Sequence, residues 1–355
     1  MKICVTTFYN ICHPGAVLQA YALCRTLNEL GHDARLVQFP ATEPSRKRSR
    51  PTPQSIYAQL TGVAKKRVGY AAFVAGHCPL TEQAYGTFQA LEKSPPVADA
   101  YICGSDQIWN PGLTGGKPGL AYFLAYGDPA IKRISYAASF GGAVLSPEHR
   151  KEIAGYLEKF DHLSVREAGG KKLVKELIGR DAKVVLDPTL LVEDWSSISR
   201  PIRKANSYVL LYRLQKSPEV FAAATEMARR LGKPLLNVDA SLKFWTRPGR
   251  CVRPASPEEW IGLFQNAAAV VTNSFHGTVF SVLFHRPFFS ISLTGEQAGR
   301  AGRMRDLCAQ LGLEERFVSG AAPLPVADVD WGGTDERLQD LRRASLDDLN
   351  HALKD

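Results

Sequence analysis

A histidine followed by a glycine, His276–Gly277, stands where an apolar run hands over to a helical pattern. Ala267 to Val271 is short and rich in β-branched residues, as a buried strand would be. Thr272–Asn273–Ser274 makes a polar turn, and Val279, Val282 and Leu283 then share one helical face. Arg286–Pro287 stops that helix, because proline has no N–H to continue it. At such a junction the unpaired amides and the positive helix end attract anions. Glycine lets a ligand approach the backbone, and histidine can donate to a phosphate or carboxylate or move a proton. The same residues also fit a polar turn whose histidine caps its own helix. A second stretch, Ser105–Asp106–Gln107, follows a strand over Val97 to Cys103, in the strand-end position where open α/β sheets hold ligands. Cys12 lies in the first strand-to-helix loop, either as a nucleophile or as a structural cysteine.

The elements around these residues form a repeating strand–loop–helix pattern. Lys2 to Phe8 reads as a strand, Ala16 to Leu30 as a helix stopped at Gly31, and Ala34 to Phe39 as a second strand, which is a βαβ unit. Strands follow over Ile131–Ser135, Asp161–Val165 and Lys183–Leu186, with helices over Pro147–Leu157 and Leu173–Ile178. A polar, proline-broken stretch over 196–206 separates this half from a second one. Ser207–Tyr212, Pro234–Val238 and Phe288–Ile291 supply further strands, and Val220–Leu231, Pro257–Asn266 and Met304–Leu311 the helices. The expected organisation is a Rossmann-like domain over 1–195, the linker 196–206, a second such domain over 207–335, and a terminal helix over 336–355. The fold class is α/β, with two Rossmann-like domains facing a cleft.

Composition narrows the chemistry. A chain of 355 residues with 45% hydrophobic and 22% charged residues is long enough for two cores. Seven cysteines, odd in number and without a CxxC pair, indicate neither a disulfide framework nor a zinc site. The first loop lacks GxGxxG, so no dinucleotide is expected, and no carboxylate pair or His/Asp cluster calls for a metal. The sequence therefore predicts no cofactor. A net charge of +9 suits an anionic partner. No nucleic-acid module with interleaved aromatics accompanies it, so small anionic substrates are expected rather than nucleic acid. The basic segment 42–73 reads as a solvated loop and a core-covering helix, or as a peripheral contact to an anionic membrane. Without a signal peptide or a transmembrane-length run, the expected location is the cytoplasm, at the inner face of the membrane if that contact is made.

Taken together, the motifs resemble those of the polysaccharide pyruvyl transferase family. The stretches that carry the resemblance begin with Asn10 and Gly15–Ala16–Val17–Leu18–Gln19–Ala20–Tyr21, then Tyr101–Ile102–Cys103–Gly104–Ser105–Asp106–Gln107–Ile108–Trp109–Asn110. Ser135–Tyr136–Ala137–Ala138–Ser139–Phe140–Gly141, Ser164–Val165–Arg166–Glu167 and Asp187–Pro188–Thr189–Leu190–Leu191 follow, and Thr272 to Thr278 closes the series, with Arg303–Met304 beyond it. The resemblance implies a fold like that of the GT-B glycosyltransferases. It also implies transfer of pyruvate from phosphoenolpyruvate onto two hydroxyls of a sugar, leaving a ketal and free phosphate. The acceptor would be a surface glycan or its lipid-linked precursor.

That chemistry needs groups for a phosphate and a carboxylate, an acid for the methylene carbon and a base for the attacking hydroxyl. The resemblance places His276 and Arg166 in the catalytic set, Arg166 as a donor-binding arginine. Asn273, Ser274, Gly277, Thr278, Arg303 and Arg213 are expected to bind the donor. Asn10, Gln19, Ser105, Asp106 and Gln107 are expected to bind the acceptor, with Asp106 alternatively the base. Ser274 stands where some members carry arginine, so Arg166 or Arg303 is expected to meet the donor's charge instead. Two other functions fit the same fold: a nucleotide-sugar glycosyltransferase, and a glycan-binding protein without catalysis.

Overall fold

The computed structural model describes residues 1–40, 63–114, 117–238, 249–320 and 328–354. The described residues of Met1–Arg50, Ala71–Val192 and Asp340–Asp355 form one compact unit, and those of Pro51–Tyr70 and Glu193–Gln339 a second. Each is built on a parallel sheet, so the expected α/β class with two Rossmann-like domains of GT-B type is observed.

The first unit has seven strands: β1 (Lys2–Thr6), β2 (Asp33–Gln38), β3 (Leu80–Ala84), β4 (Ala100–Cys103), β5 (Lys132–Ala138), β6 (His162–Val165) and β7 (Lys183–Val184). Their order is β3-β2-β1-β4-β5-β6-β7, with Ile3 opposite Ala34 on one side and Ala100 on the other. Strand order reverses between β1 and β4, so their carboxyl ends open the crevice where such sheets bind ligands. The helix Pro14–Glu29 follows β1, with His13 as its N-cap and Pro14 pre-set for the first turn. Trp109, Tyr122, Phe140 and Phe160 lie in the buried core on which the loops after β4 and β5 rest.

The second unit has six strands: β8 (Val209–Tyr212), β9 (Leu235–Val238), β10 (Arg250–Val252), β11 (Ala269–Thr272), β12 (Phe288–Ile291) and β13 (Phe317–Val318), in the order β10-β9-β8-β11-β12-β13. Here the reversal falls between β8 and β11, where Tyr212 pairs with Thr272. The helix Pro218–Leu231 packs Val220 and Ala224 against Val209, Leu211 and Val271. Trp260 and Phe264 of the helix Pro257–Gln265 pack on Phe280, so the helix Phe275–Leu283 is buried from Phe275 to Val282.

Several elements differ from the sequence expectation. The terminal helix begins at Trp331 rather than Glu336 and runs to Lys354. The basic segment is described only from residue 63, where a helix Val63–His77 exposes Lys65 and Arg67; its residues 42–62 lie outside the described residues. No described helix is long and apolar enough to cross a membrane.

Candidate active site

In the second unit the loops after β8, β11 and β12 are laced together by two amide side chains. Asn273, fully buried, accepts from the Leu214 N–H at 2.8 Å through Oδ1 and donates to the Gln215 carbonyl at 2.8 Å through Nδ2. Gln215 in turn donates to the Thr294 carbonyl at 2.9 Å and accepts from its N–H at 2.9 Å. Asn273 was expected to touch the donor; instead its amide fixes the loop after β8. Gln215 escaped the sequence reading, and its one signal was an amide residue just past a strand end.

Ser274 is the N-cap of the Phe275–Leu283 helix, its Oγ accepting from the Gly277 N–H at 3.4 Å, while its own N–H donates to Thr272 Oγ1 at 3.1 Å. Burial pushes the Tyr212 phenol up, and its hydrogen bond to Ser274 offsets part of that. Thr278 Oγ1 lies 3.2 Å from the Ser274 carbonyl and 2.9 Å from Ser290 Oγ. The side chains of Ser274 and Thr278 therefore hold the turn and the helix rather than offering a face to a donor. Gly277 has a packing role as well. A Cβ there would sit 2.2 Å from Thr272 Oγ1 and 3.1 Å from the Tyr212 ring, so glycine is required where the helix meets β8 and β11.

His276 remains at the first turn of that helix, 4% exposed, its ring edge-on to Phe275 at 5.3 Å between centroids. The Arg303 guanidinium lies over the other member of this pair, 5.8 Å from the Phe275 ring centroid. Arg213 directly follows β8, half-buried, with its guanidinium 5.0 Å from the Phe221 ring centroid. The structure thus brings His276 and Arg303 to one aromatic ring and places Arg213 at the same switch point. Guanidinium groups, an imidazole and a helix N-terminus suit a phosphate or carboxylate.

The switch point of the first unit has a different chemistry. Gln19 is fully buried and donates to Thr7 Oγ1 at 2.9 Å, to the Phe8 carbonyl at 3.0 Å and to the Ala16 carbonyl at 2.8 Å. Thr7 Oγ1 donates onward to the Ser105 carbonyl at 2.8 Å. Gln19 accordingly ties the loop after β1 to the loop after β4, and the acceptor contact expected of it is not where its amide points. Ser105 is likewise fully buried, its Oγ donating to Asp187 Oδ2 at 2.8 Å. Asn10 is exposed, its Nδ2 donating to the Phe39 carbonyl at 3.2 Å. Gln107 is half-buried against Gly141, whose φ of +63° and lack of Cβ leave room for it; a Cβ there would lie 2.1 Å from Gln107 Oε1.

Asp106 adopts φ +78°, a left-handed conformation that a non-glycine residue holds only at a cost. Its Oδ1 accepts from the Gln107 N–H at 2.8 Å and lies 3.9 Å from Arg166 Nη2. Arg166, with its side chain 1% exposed, bonds Asp187 at 2.9 Å through Nη1, and its Nε lies 3.6 Å from Glu167 Oε2. Asp187 Oδ1 also accepts from Thr189, at 3.0 Å from the N–H and 2.6 Å from the hydroxyl. Burial works against the Arg166 charge, but Asp187, Glu167 and Asp106 outweigh it, so the guanidinium stands above its ordinary pKa. The expectation that Arg166 receives the donor's charge meets a physical obstacle here. Three carboxylates surround one guanidinium and already meet its charge. Among the described residues no group of His, Cys, Asp and Glu is placed to hold a metal ion.

The chain matches the family model for polysaccharide pyruvyl transferase over residues 13–294. No curated protein matches it in sequence. Among solved structures it is similar to an alpha-glucosyltransferase in complex with UDP and a 13-mer DNA, at TM-score 0.53 and 11% identity over 97% of this chain and 90% of that one. A second structure of an alpha-glucosyltransferase, with UDP-glucose and DNA, gives TM-score 0.51 and 10% identity over 99% and 92%. The UDP-N-acetylglucosamine 2-epimerase of Rickettsia bellii gives TM-score 0.48 and 12% identity over 97% and 88%. At these identities the likeness concerns the fold.

Proposed function

Because the chain belongs to the polysaccharide pyruvyl transferase family, we propose that it moves a pyruvyl group from phosphoenolpyruvate onto two hydroxyls of a glycan sugar, forming a ketal and releasing phosphate. The observation that carries this reading is the set of anion-seeking groups at the β8/β11 switch point: His276 and Arg303 about one ring, and Arg213 directly after β8. In this reading Arg303, Arg213 and the first amides of the Phe275–Leu283 helix meet the donor's phosphate and carboxylate. His276 protonates the methylene carbon, which makes C2 electrophilic. The sugar meets the strand ends of the first unit, where Asn10, Asp106 and Gln107 stand.

The test is incubation with phosphoenolpyruvate and a panel of sugars, reading phosphate release and the mass of the added pyruvyl group. His276→Ala is expected to lower kcat by about 10²- to 10⁴-fold, the usual contribution of a positioned acid. Full activity in that variant sinks the assignment of the site. A second reading, a nucleotide-sugar glycosyltransferase, is favoured by the fold shared with the UDP-bound alpha-glucosyltransferase. Nucleoside diphosphate released from a nucleotide sugar, with phosphoenolpyruvate inert, decides for it.

A further inference from the structure

A cavity of about 430 Å³ opens in the first unit over β1, β2 and β3. It is lined at the amino ends of β1 and β2, by Lys2 to Cys4 and by Asp33 and Arg35, whereas the switch point lies past the carboxyl ends. Lys2 and Thr6, at the two ends of β1, are about 13 Å apart along a strand. No residue assigned above to the donor or the acceptor lines this cavity. Its floor is Cys4 and Tyr85, 5% and 3% exposed. One wall is apolar, formed by Pro95, Pro96 and the exposed Val97. Tyr101 fixes that wall by donating from its hydroxyl to the Pro96 carbonyl at 2.8 Å, and Asp99 just beyond accepts from the Lys2 N–H at 2.7 Å. The rest of the rim is polar, with Lys2, Arg35, Glu82 and Gln83.

We propose that this cavity binds one neutral sugar unit of a glycan, as a holding site apart from the catalytic one. Such a site goes beyond the pyruvyl reading and does not depend on it. The Tyr85 phenol, although buried, makes no hydrogen bond among the described residues. Burial, with Cys4 adding to it, holds that phenol above its ordinary pKa, so it presents a neutral O–H that can donate and accept. A buried hydroxyl left without a partner is costly, and a ligand hydroxyl answers it. The side chains of Glu82 and Gln83 likewise make no hydrogen bond among the described residues. The charges of the rim cancel. Arg35 spends Nε and Nη2 on Asp33 at 2.9 and 3.3 Å, which leaves Lys2 and Glu82 as one cation and one anion. A phosphate or carboxylate therefore finds no surplus of positive charge and no open guanidinium fork. An apolar ligand would strip water from Lys2, Glu82 and Gln83 without replacing it. A sugar ring satisfies both sides, its C–H face against Pro95, Pro96 and Val97 and its hydroxyls toward Tyr85, Glu82 and Gln83. The volume falls within the range of small-ligand sites, about 300–1,000 Å³.

The full chain is titrated by calorimetry with lactose, maltose and the methyl glycosides of glucose and galactose, then with inorganic phosphate and glycine. At least one sugar is expected to bind, and Tyr85→Phe, which removes the phenol oxygen alone, is expected to weaken it about five- to tenfold. Glu82→Gln and Gln83→Ala, at exposed positions, are expected to weaken it in the same direction, and they carry the test should Tyr85→Phe fail to fold. Sugar binding that these variants leave unchanged overturns the inference, because the sugar then sits elsewhere. No heat from any of the sugars overturns it too, and phosphate or glycine binding lost in Lys2→Gln would then name an ion as the occupant. The Kd for phosphoenolpyruvate is expected to be the same in every variant. Failure of the unmodified protein to turn over phosphoenolpyruvate is a different result, which removes the pyruvyl reading and leaves the sugar site standing.

Discussion

The two switch points are built alike and charged differently. In each, the loops after two neighbouring strands are stitched by buried side chains: Gln19 and Thr7 in the first unit, Asn273 and Gln215 in the second. In the first unit, one arginine is buried among three carboxylates. The groups gathered in the second are two arginines, a histidine and a helix N-terminus. The same sheet geometry thus carries a buried ion-pair cluster in one unit and arginines stacked on aromatic rings in the other. Stitching is the work of amides and hydroxyls in both. The lesson is that an arginine's role depends on its neighbours more than on its motif.

The difference is sharpest between Arg166 and Arg303. Arg166→Gln strands Asp187 and its neighbouring carboxylates, and removing one partner of a buried ion pair costs about 3–5 kcal/mol. Arg303→Gln removes a cation stacked on Phe275, worth about 0.5–2 kcal/mol, and is expected to act mainly on the KM for phosphoenolpyruvate. Urea unfolding and steady-state kinetics on both variants check this division. If Arg166→Gln were to leave stability intact and raise only KM, the guanidinium would be a donor ligand after all and the contrast would collapse.

A smaller effect is expected at Gly277. Alanine there puts a methyl carbon against Thr272 Oγ1 and the Tyr212 ring, so the helix must shift away from the sheet. Overpacking of this kind costs about 1–3 kcal/mol. Gly169, a glycine in the first turn of the Ala168–Ile178 helix of the other unit, has nothing within 4 Å of its missing Cβ, so Gly169→Ala is the control. Thermal unfolding is expected to show a lowered midpoint for Gly277→Ala and none for Gly169→Ala.

Much of this architecture was legible beforehand because long apolar periodicities and glycine stops mark buried strands and helices. His276 was legible as a strand-to-helix residue for the same reason. Three strands were not: Leu80–Ala84, Arg250–Val252 and Phe317–Val318 sit at or next to a sheet edge and are short or largely exposed, so they carry little apolar signal. The pairing of Arg166 with Asp187 spans 21 residues, and no local pattern announces it. The positive φ of Asp106 arises from a turn whose residues, Ser-Asp-Gln, do not demand one. The packing role of Gly277 was not legible, because only the distance from its missing Cβ to Thr272 shows it.

The mildest difference between the units concerns protons on buried thiols and phenols. Burial pushes the Cys4 thiol up to about 11, with Asp33 adding to it, and the Cys78 thiol up to about 12. Tyr9 and Tyr101 are likewise raised to about 12, chiefly by burial, and Cys24, Cys103, Tyr126 and Tyr136 go up from the same cause. All of these belong to the first unit, whereas in the second burial raises Tyr208, Tyr212 and Cys308. A group whose folded pKa exceeds its unfolded value contributes stability that is fully present below the unfolded pKa, about 8.5 for a thiol and about 10 for a phenol. That contribution is lost as pH rises through the folded value, so alkali is expected to loosen the first unit before the second. Thiol alkylation followed by peptide mass reads the order. Near pH 8 only exposed Cys12 and half-buried Cys251 are expected to react, while the other five cysteines stay silent. As pH climbs past about 9, Cys4, Cys24 and Cys78 are expected to label ahead of Cys308. Labelling of Cys308 first would mean that the second unit opens more readily, and that its stitching by Asn273 and Gln215 is the weaker of the two.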